Sequence, residues 1–88
     1  MPTIASFYGI FVRMYLRDHP PPHFHAIYQQ HEAFVEIESG EVIEGQLPRV
    51  AARLVKEWTL AHRQELFDNW RRARAGDRLQ RIAGLDND

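Results

Sequence analysis

Three of the five histidines in this 88-residue chain, His19, His23 and His25, surround the run Pro20-Pro21-Pro22. Histidine ionises close to physiological pH, so it serves as acid, base or metal ligand with little tuning. The three prolines restrict the backbone that carries it. The spacing H-x-x-x-H-x-H puts His23 and His25 on one face of a strand and His19 on the loop before it. Three imidazoles with a water, or with Glu36, suit a catalytic zinc, because such centres keep one coordination position open. Beyond His31 the sequence offers no second cluster to complete the four ligands of a structural site. Zinc is the one cofactor this pattern admits, and none is required, since the same imidazoles can hydrogen-bond loop backbone and fix the proline turn.

The same neighbourhood also suits metal-free chemistry. His23 or His25, with Arg13, Tyr15 and the Glu36 carboxylate, could cleave RNA through its own 2′-hydroxyl. One group would take the hydroxyl proton, another would protonate the leaving oxygen, and the guanidinium would steady the developing charge. A solvated sheet face with weak cross-strand Arg and Glu pairs accounts for the same residues. Further along, Arg71, Arg72 and Arg74 precede Gly76 and could contact phosphates of a nucleic acid. Cations in a last helical turn equally complement the helix dipole, and Glu57, Glu65 and Asp68 dilute the positive charge. Trp58 fits a core position, and Trp70 with Phe67 falls off the main apolar stripe and could form a partner surface. No glycine-rich phosphate loop accompanies either tryptophan.

Strands must position the histidines. Ile10, Val12, Met14 and Leu16 alternate with Phe11, Arg13, Tyr15 and Arg17, the period of a half-buried strand. Residues 3–7 form a short strand before it, with Gly9 at the bend. After the prolines, Phe24, Ala26 and Tyr28 alternate with His23, His25 and Ile27, and Ala33, Val35 and Ile37 alternate with Glu32, Phe34, Glu36 and Glu38. Ser39-Gly40 reads as a two-residue turn into a strand over 41–46. If Ile10, Val12, Met14, Ala26, Val35 and Ile37 face the helices, then Arg13, Tyr15, Arg17, His23, His25, Glu36 and Glu38 share the opposite face or its rim.

Pro48 opens a helical segment that Gly76 ends. Ala51, Leu54, Val55 and Trp58 share one stripe, and Leu66, Phe67 and Trp70 lie well round the cylinder, which predicts a break over 60–63 and two packed helices. Leu79 and Ile82 lay the tail back on the body. The fold class is α+β, an antiparallel meander of about four strands packed by one or two C-terminal helices in a single domain over 1–88.

Composition sets the boundaries of this reading. Hydrophobic content of 44% and charged content of 26% are those of a globular protein. No apolar run approaches the roughly 20 residues that span a membrane. The absence of cysteine excludes disulfides and thiolate metal sites, and the lack of a basic and apolar leader points to the cytoplasm. Net charge is −1, but Glu32, Glu36, Glu38, Glu41 and Glu44 occur without a Lys or Arg among them, and from position 49 onward basic residues recur. Opposite potentials at the two ends would suit different partners.

Met1-Pro2-Thr3-Ile4 with Phe7-Tyr8-Gly9-Ile10, Arg13-Met14-Tyr15, Asp18-His19 with Pro21-Pro22-His23-Phe24-His25-Ala26, and Gly40-Glu41-Val42-Ile43-Glu44-Gly45 resemble the bacterial domain-of-unknown-function family numbered four-one-six-zero. Trp58, His62-Arg63, Glu65-Leu66 and Asn69-Trp70 are similar to its helical part, and Pro20 adds a third proline where the family tends to have another residue. The resemblance implies a small protein that accompanies a second small domain in arrangements similar to toxin-antitoxin pairs, and it transfers no catalytic or ligand residues. The reading is a small interaction or regulatory domain with a protein partner, in a toxin-antitoxin-like or transcription-related module. The alternative is a histidine-dependent RNase or metal-binding enzyme.

Overall fold

The computed structural model describes residues 2–86. It contains β1 (Thr3–Phe7), β2 (Ile10–Arg13), β3 (His23–Tyr28), β4 (His31–Glu36), β5 (Val42–Gly45), α1 (Arg49–Ala61) and α2 (Arg63–Ala75). The strands form one antiparallel sheet in chain order, so the α+β meander is present. Its strands number five rather than about four, because the short N-terminal segment pairs along the whole of β2, from Thr3 opposite Arg13 to Phe7 opposite Ile10.

Register explains the core. Val12 lies opposite Ala26, Ala26 opposite Ala33, and Phe24 opposite Val35, so one face carries a continuous apolar band. All five side chains are fully buried. Trp58 of α1 packs on that face, its ring centre 5.2 Å from Phe7 and 5.7 Å from Phe24. Each large apolar side chain buried in this way contributes about 1.5–3 kcal/mol.

Two strand ends differ from the alternation pattern. β2 stops at Arg13, so Tyr15, Leu16 and Arg17 belong to the following loop and Leu16 is exposed. Arg17 adopts a positive φ of 58°, and its amide donates to the Ala73 carbonyl at 3.1 Å, which turns the loop onto α2. At the same end of the sheet the connection after β4 is longer than a two-residue turn. The Glu36 amide donates to the Glu41 carbonyl at 2.9 Å, enclosing residues 37–40, and Ile37 is buried in that turn with its amide on the Pro22 carbonyl at 3.1 Å. A buried side chain inside the turn is what alternation alone misassigns to a strand.

The helical break falls at His62, whose φ of −121° and ψ of 26° leave the helical region. The hydrogen-bond ladders of the two helices meet at this residue, the His62 amide donating to Trp58 and the Leu66 amide to His62, both at 3.0 Å, so His62 closes α1 and opens α2. Thr59 Oγ1 donates to the Val55 carbonyl at 2.7 Å, a bond that favours bending just before the break. Gly76 ends α2 in the left-handed conformation. The tail then returns along β1: the Ile82 amide donates to the Ile4 carbonyl at 2.8 Å, and Trp58 Nε1 donates to the Ala83 carbonyl at 2.8 Å. Among the described residues no helix is long and apolar enough to cross a membrane.

Candidate metal centre

Alternation along β3 sends Phe24 and Ala26 to the apolar band and His23 and His25 to the other face, where the loop over 14–22 covers them. The histidines are 3% and 7% exposed, so this is a buried site rather than a solvated sheet face. The loop, which contains a cis Pro20-Pro21 peptide, brings Asp18 over both rings. It is anchored to α2 at Arg17, and the Arg74 guanidinium donates to the Asp18 carbonyl.

The two rings aim their Nε2 atoms at one oxygen. Asp18 Oδ2 lies 3.1 Å from His23 Nε2 and 3.3 Å from His25 Nε2. His23 Nδ1 is 2.7 Å from the Pro21 carbonyl, which can only accept, so the ring proton sits on Nδ1. Nε2 of the neutral ring is then a bare acceptor facing a carboxylate, and although it is close to Asp18 it is buried with no hydrogen-bond partner. His25 has carboxylates on both sides, with Nδ1 3.2 Å from Glu32 Oε2 as well as Nε2 near Asp18. A neutral imidazole donates to only one of them. A proton or a metal cation between the acceptors relieves this opposition.

The two separations from Asp18 Oδ2 are those of ligands that share a cation. Ligand atoms around a tetrahedral zinc with bonds of about 2.0–2.1 Å lie about 3.3 Å apart. One ligand atom from each of Asp18, His23 and His25 lies within 4.8 Å of the other two. The opposite nitrogens have the contacts that metal-bound imidazoles make, one to a backbone carbonyl and one to a carboxylate. The Tyr15 and Phe34 rings stand 4.2 Å from His25, and Trp70 stands 5.5 Å from His23, so aromatic walls restrict water around the polar atoms.

Each residue singled out in the sequence has a definite place. His19 is exposed, with its ring 6.0 Å from His23 and its Nδ1 3.2 Å from Asp18 Oδ1, and it lies outside the converging group. Arg13 pairs in register with His25, and Glu36 with His23. The Glu36 carboxylate accepts from Ser39 Oγ at 2.6 Å and holds the turn after β4. Arg71 pairs with Asp68, Arg72 donates to Asn69 Oδ1 at 3.0 Å, and Arg74 serves the Asp18 loop, so the three cations point to separate tasks. Trp70 is 8% exposed and spends its ring on His23.

Asp18 and Glu32 are the participants that histidine spacing passes over. Asp18 stands directly before His19, inside the motif, and Glu32 shares the face of Phe34 and Glu36 by strand alternation. Loop closure is what turns those sequence neighbours into contacts. No curated protein and no solved structure matches the chain. A family model described as a domain of unknown function (DUF4160) matches residues 9–71, from the end of the first hairpin turn into α2 and across the whole histidine motif, and the chain belongs to that family.

Proposed function

We propose that the protein is a metal-dependent enzyme, with a divalent transition ion held by Asp18 Oδ2, His23 Nε2 and His25 Nε2. The observation that carries this reading is the convergence of both Nε2 atoms on one carboxylate oxygen while both Nδ1 atoms are occupied behind them. Two imidazoles and a carboxylate are three protein donors, one short of the four of a structural zinc site, which is the ligand count of catalytic sites. A bound ion would supply Lewis acidity and could activate water near neutral pH, and of the chemistries open to this donor set we take metal-assisted hydrolysis as the working reaction class. Pro21 and Glu32 orient the rings, and Tyr15, Phe34 and Trp70 keep the surroundings dry, which strengthens charge interactions there.

Calorimetric titration of chelator-treated protein with zinc at pH 7 tests it. One equivalent binds, and Asp18→Ala, His23→Ala or His25→Ala each lower the affinity about a hundredfold, whereas His19→Ala leaves it unchanged. Absence of binding, or binding that survives these substitutions, overturns the reading and leaves a buried ion pair. RNA cleavage that persists in excess chelator would replace the metal with acid and base catalysis by the same histidines.

The partner-dependent regulatory role, in a module similar to a toxin-antitoxin pair or to a transcription-related one, is the second reading. It is supported by exposed Tyr8 and Val50 at the end of the sheet opposite His23 and the Asp18 loop.

A further inference from the structure

At that remote end the β1–β2 turn, the end of β3 and the start of α1 enclose a shallow apolar groove of about 90 Å³ lined by Tyr8, Ile10, Tyr28, Pro48, Val50 and Leu54. Tyr8 has a φ of 50° and Gly9 a φ of 79°, the consecutive positive values of a tight hairpin turn, so the turn that presents the Tyr8 ring is short and well defined. Tyr8 and Val50 are 57% and 59% exposed. Single exposed apolar residues are ordinary, but these two form the rims of one groove.

Its surroundings are cationic. Arg49 and Arg53 flank Val50 and line the adjoining hollow. Both are exposed, and among the described residues neither takes part in an ion pair. The first turn of α1 contains no acidic residue, and its N-cap, Pro48, makes no side-chain cap. The positive end of the helix dipole therefore adds to the two guanidinium groups with no acidic residue in that turn to offset it. A nucleic acid would need a cationic track along its backbone, and a slot walled by two tyrosines, a proline and aliphatic side chains fits an apolar anchor instead.

We propose that this groove docks an acidic segment of a partner protein, with a leucine or aromatic side chain seated between Tyr8 and Val50 and flanking carboxylates on Arg49 and Arg53. The inference rests on the partner reading and is independent of the metal centre, since His23 and Tyr28 stand five residues apart on β3, roughly 17 Å along an extended strand.

Selection of a random peptide library displayed on phage against the immobilised protein is the test, followed by fluorescence anisotropy with the consensus peptide. Enriched sequences carry at least two Asp or Glu around a Leu, Phe or Trp. The double variant Arg49→Glu/Arg53→Glu and the single variant Val50→Asp each weaken the consensus peptide at least tenfold, while zinc affinity and circular dichroism stay at wild-type values. These positions are exposed, so the variants fold. No enrichment, enrichment of basic sequences, or a consensus peptide indifferent to the variants overturns the proposal. Loss of zinc binding with intact peptide binding would condemn the metal centre alone.

Discussion

Asp18 sits where burial and charge oppose one another. Burial alone would raise its carboxyl pKa, but the hydrogen bonds from the His19 amide and from His25, with the positive charges that His23 and His25 carry when protonated, outweigh it and hold the group below its ordinary value of 3.8. A depressed folded pKa means that the unfolded chain binds the proton more readily, so Asp18 contributes stability that is fully present above that ordinary value. The contribution disappears as pH falls from there through the lower folded value. In chelator-treated protein, urea midpoints measured from pH 6 down to pH 2 should therefore fall over this acid range, and Asp18→Asn should flatten the fall. Glu32 acts through His25: its carboxylate is half exposed, 3.2 Å from Nδ1. Glu32→Gln keeps the size and removes the charge, and zinc affinity should drop about tenfold, as for other groups that support a ligating imidazole, with little change in the urea midpoint. A change confined to the midpoint would show that Glu32 is structural only.

At the scale of elements, the hairpin turns and strand junctions differ sharply in what they tolerate. Gly45 has a φ of 80°, and a Cβ there would stand 2.3 Å from the Glu32 carbonyl of β4, so β5, at the edge of the sheet, would have to move away from β4. Gly9 has nearly the same φ of 79°, but its Cβ would meet only the edge of the Tyr28 ring at 3.6 Å. Gly9→Ala should cost about 1–2 kcal/mol, the ordinary penalty of a left-handed alanine, and Gly45→Ala clearly more. Denaturant titration of the two variants separates the steric contribution from the conformational one, and equal losses would show that β5 shifts freely. These two glycines look alike in the sequence, where both stand beside strands. The alternation of apolar residues made the pairing of β2, β3 and β4 legible, and the change of apolar stripe between Trp58 and Leu66 foretold the joint at His62. The ends of β2 and β4 were not legible, because Arg17 and Ile37 are held by hydrogen bonds to residues distant in the chain.

For the whole molecule, Trp58 joins three parts: it packs on Phe7 of β1 and Phe24 of β3, belongs to α1, and donates its indole N–H to Ala83 in the tail. Trp58→Phe keeps most of the packing and gives up one hydrogen bond, for a loss of about 1 kcal/mol, beyond any loss from the smaller ring. Trp58→Ala opens a cavity and should cost about 3–5 kcal/mol. Against a total stability of about 5–15 kcal/mol for a domain, the second change should lower the urea midpoint drastically. Peptide binding at Tyr8 and zinc binding at Asp18 should both survive in Trp58→Phe, since neither group of residues touches the indole N–H. Local chemistry in the sequence determined the order and apolar faces of the strands, the outer ends of the helical segment and the concentration of imidazoles, because alternation, proline and glycine act over a few residues. Tertiary structure alone decided which groups share the site. A loop returned by the Arg17 and Ala73 bond carries Asp18 over His23 and His25 and leaves His19 in solvent, and α2 sets Trp70 against the His23 ring. The physical reason is distance along the chain: spacing fixes which face a residue takes on its own strand, and only closure of the loop on α2 fixes what it meets there.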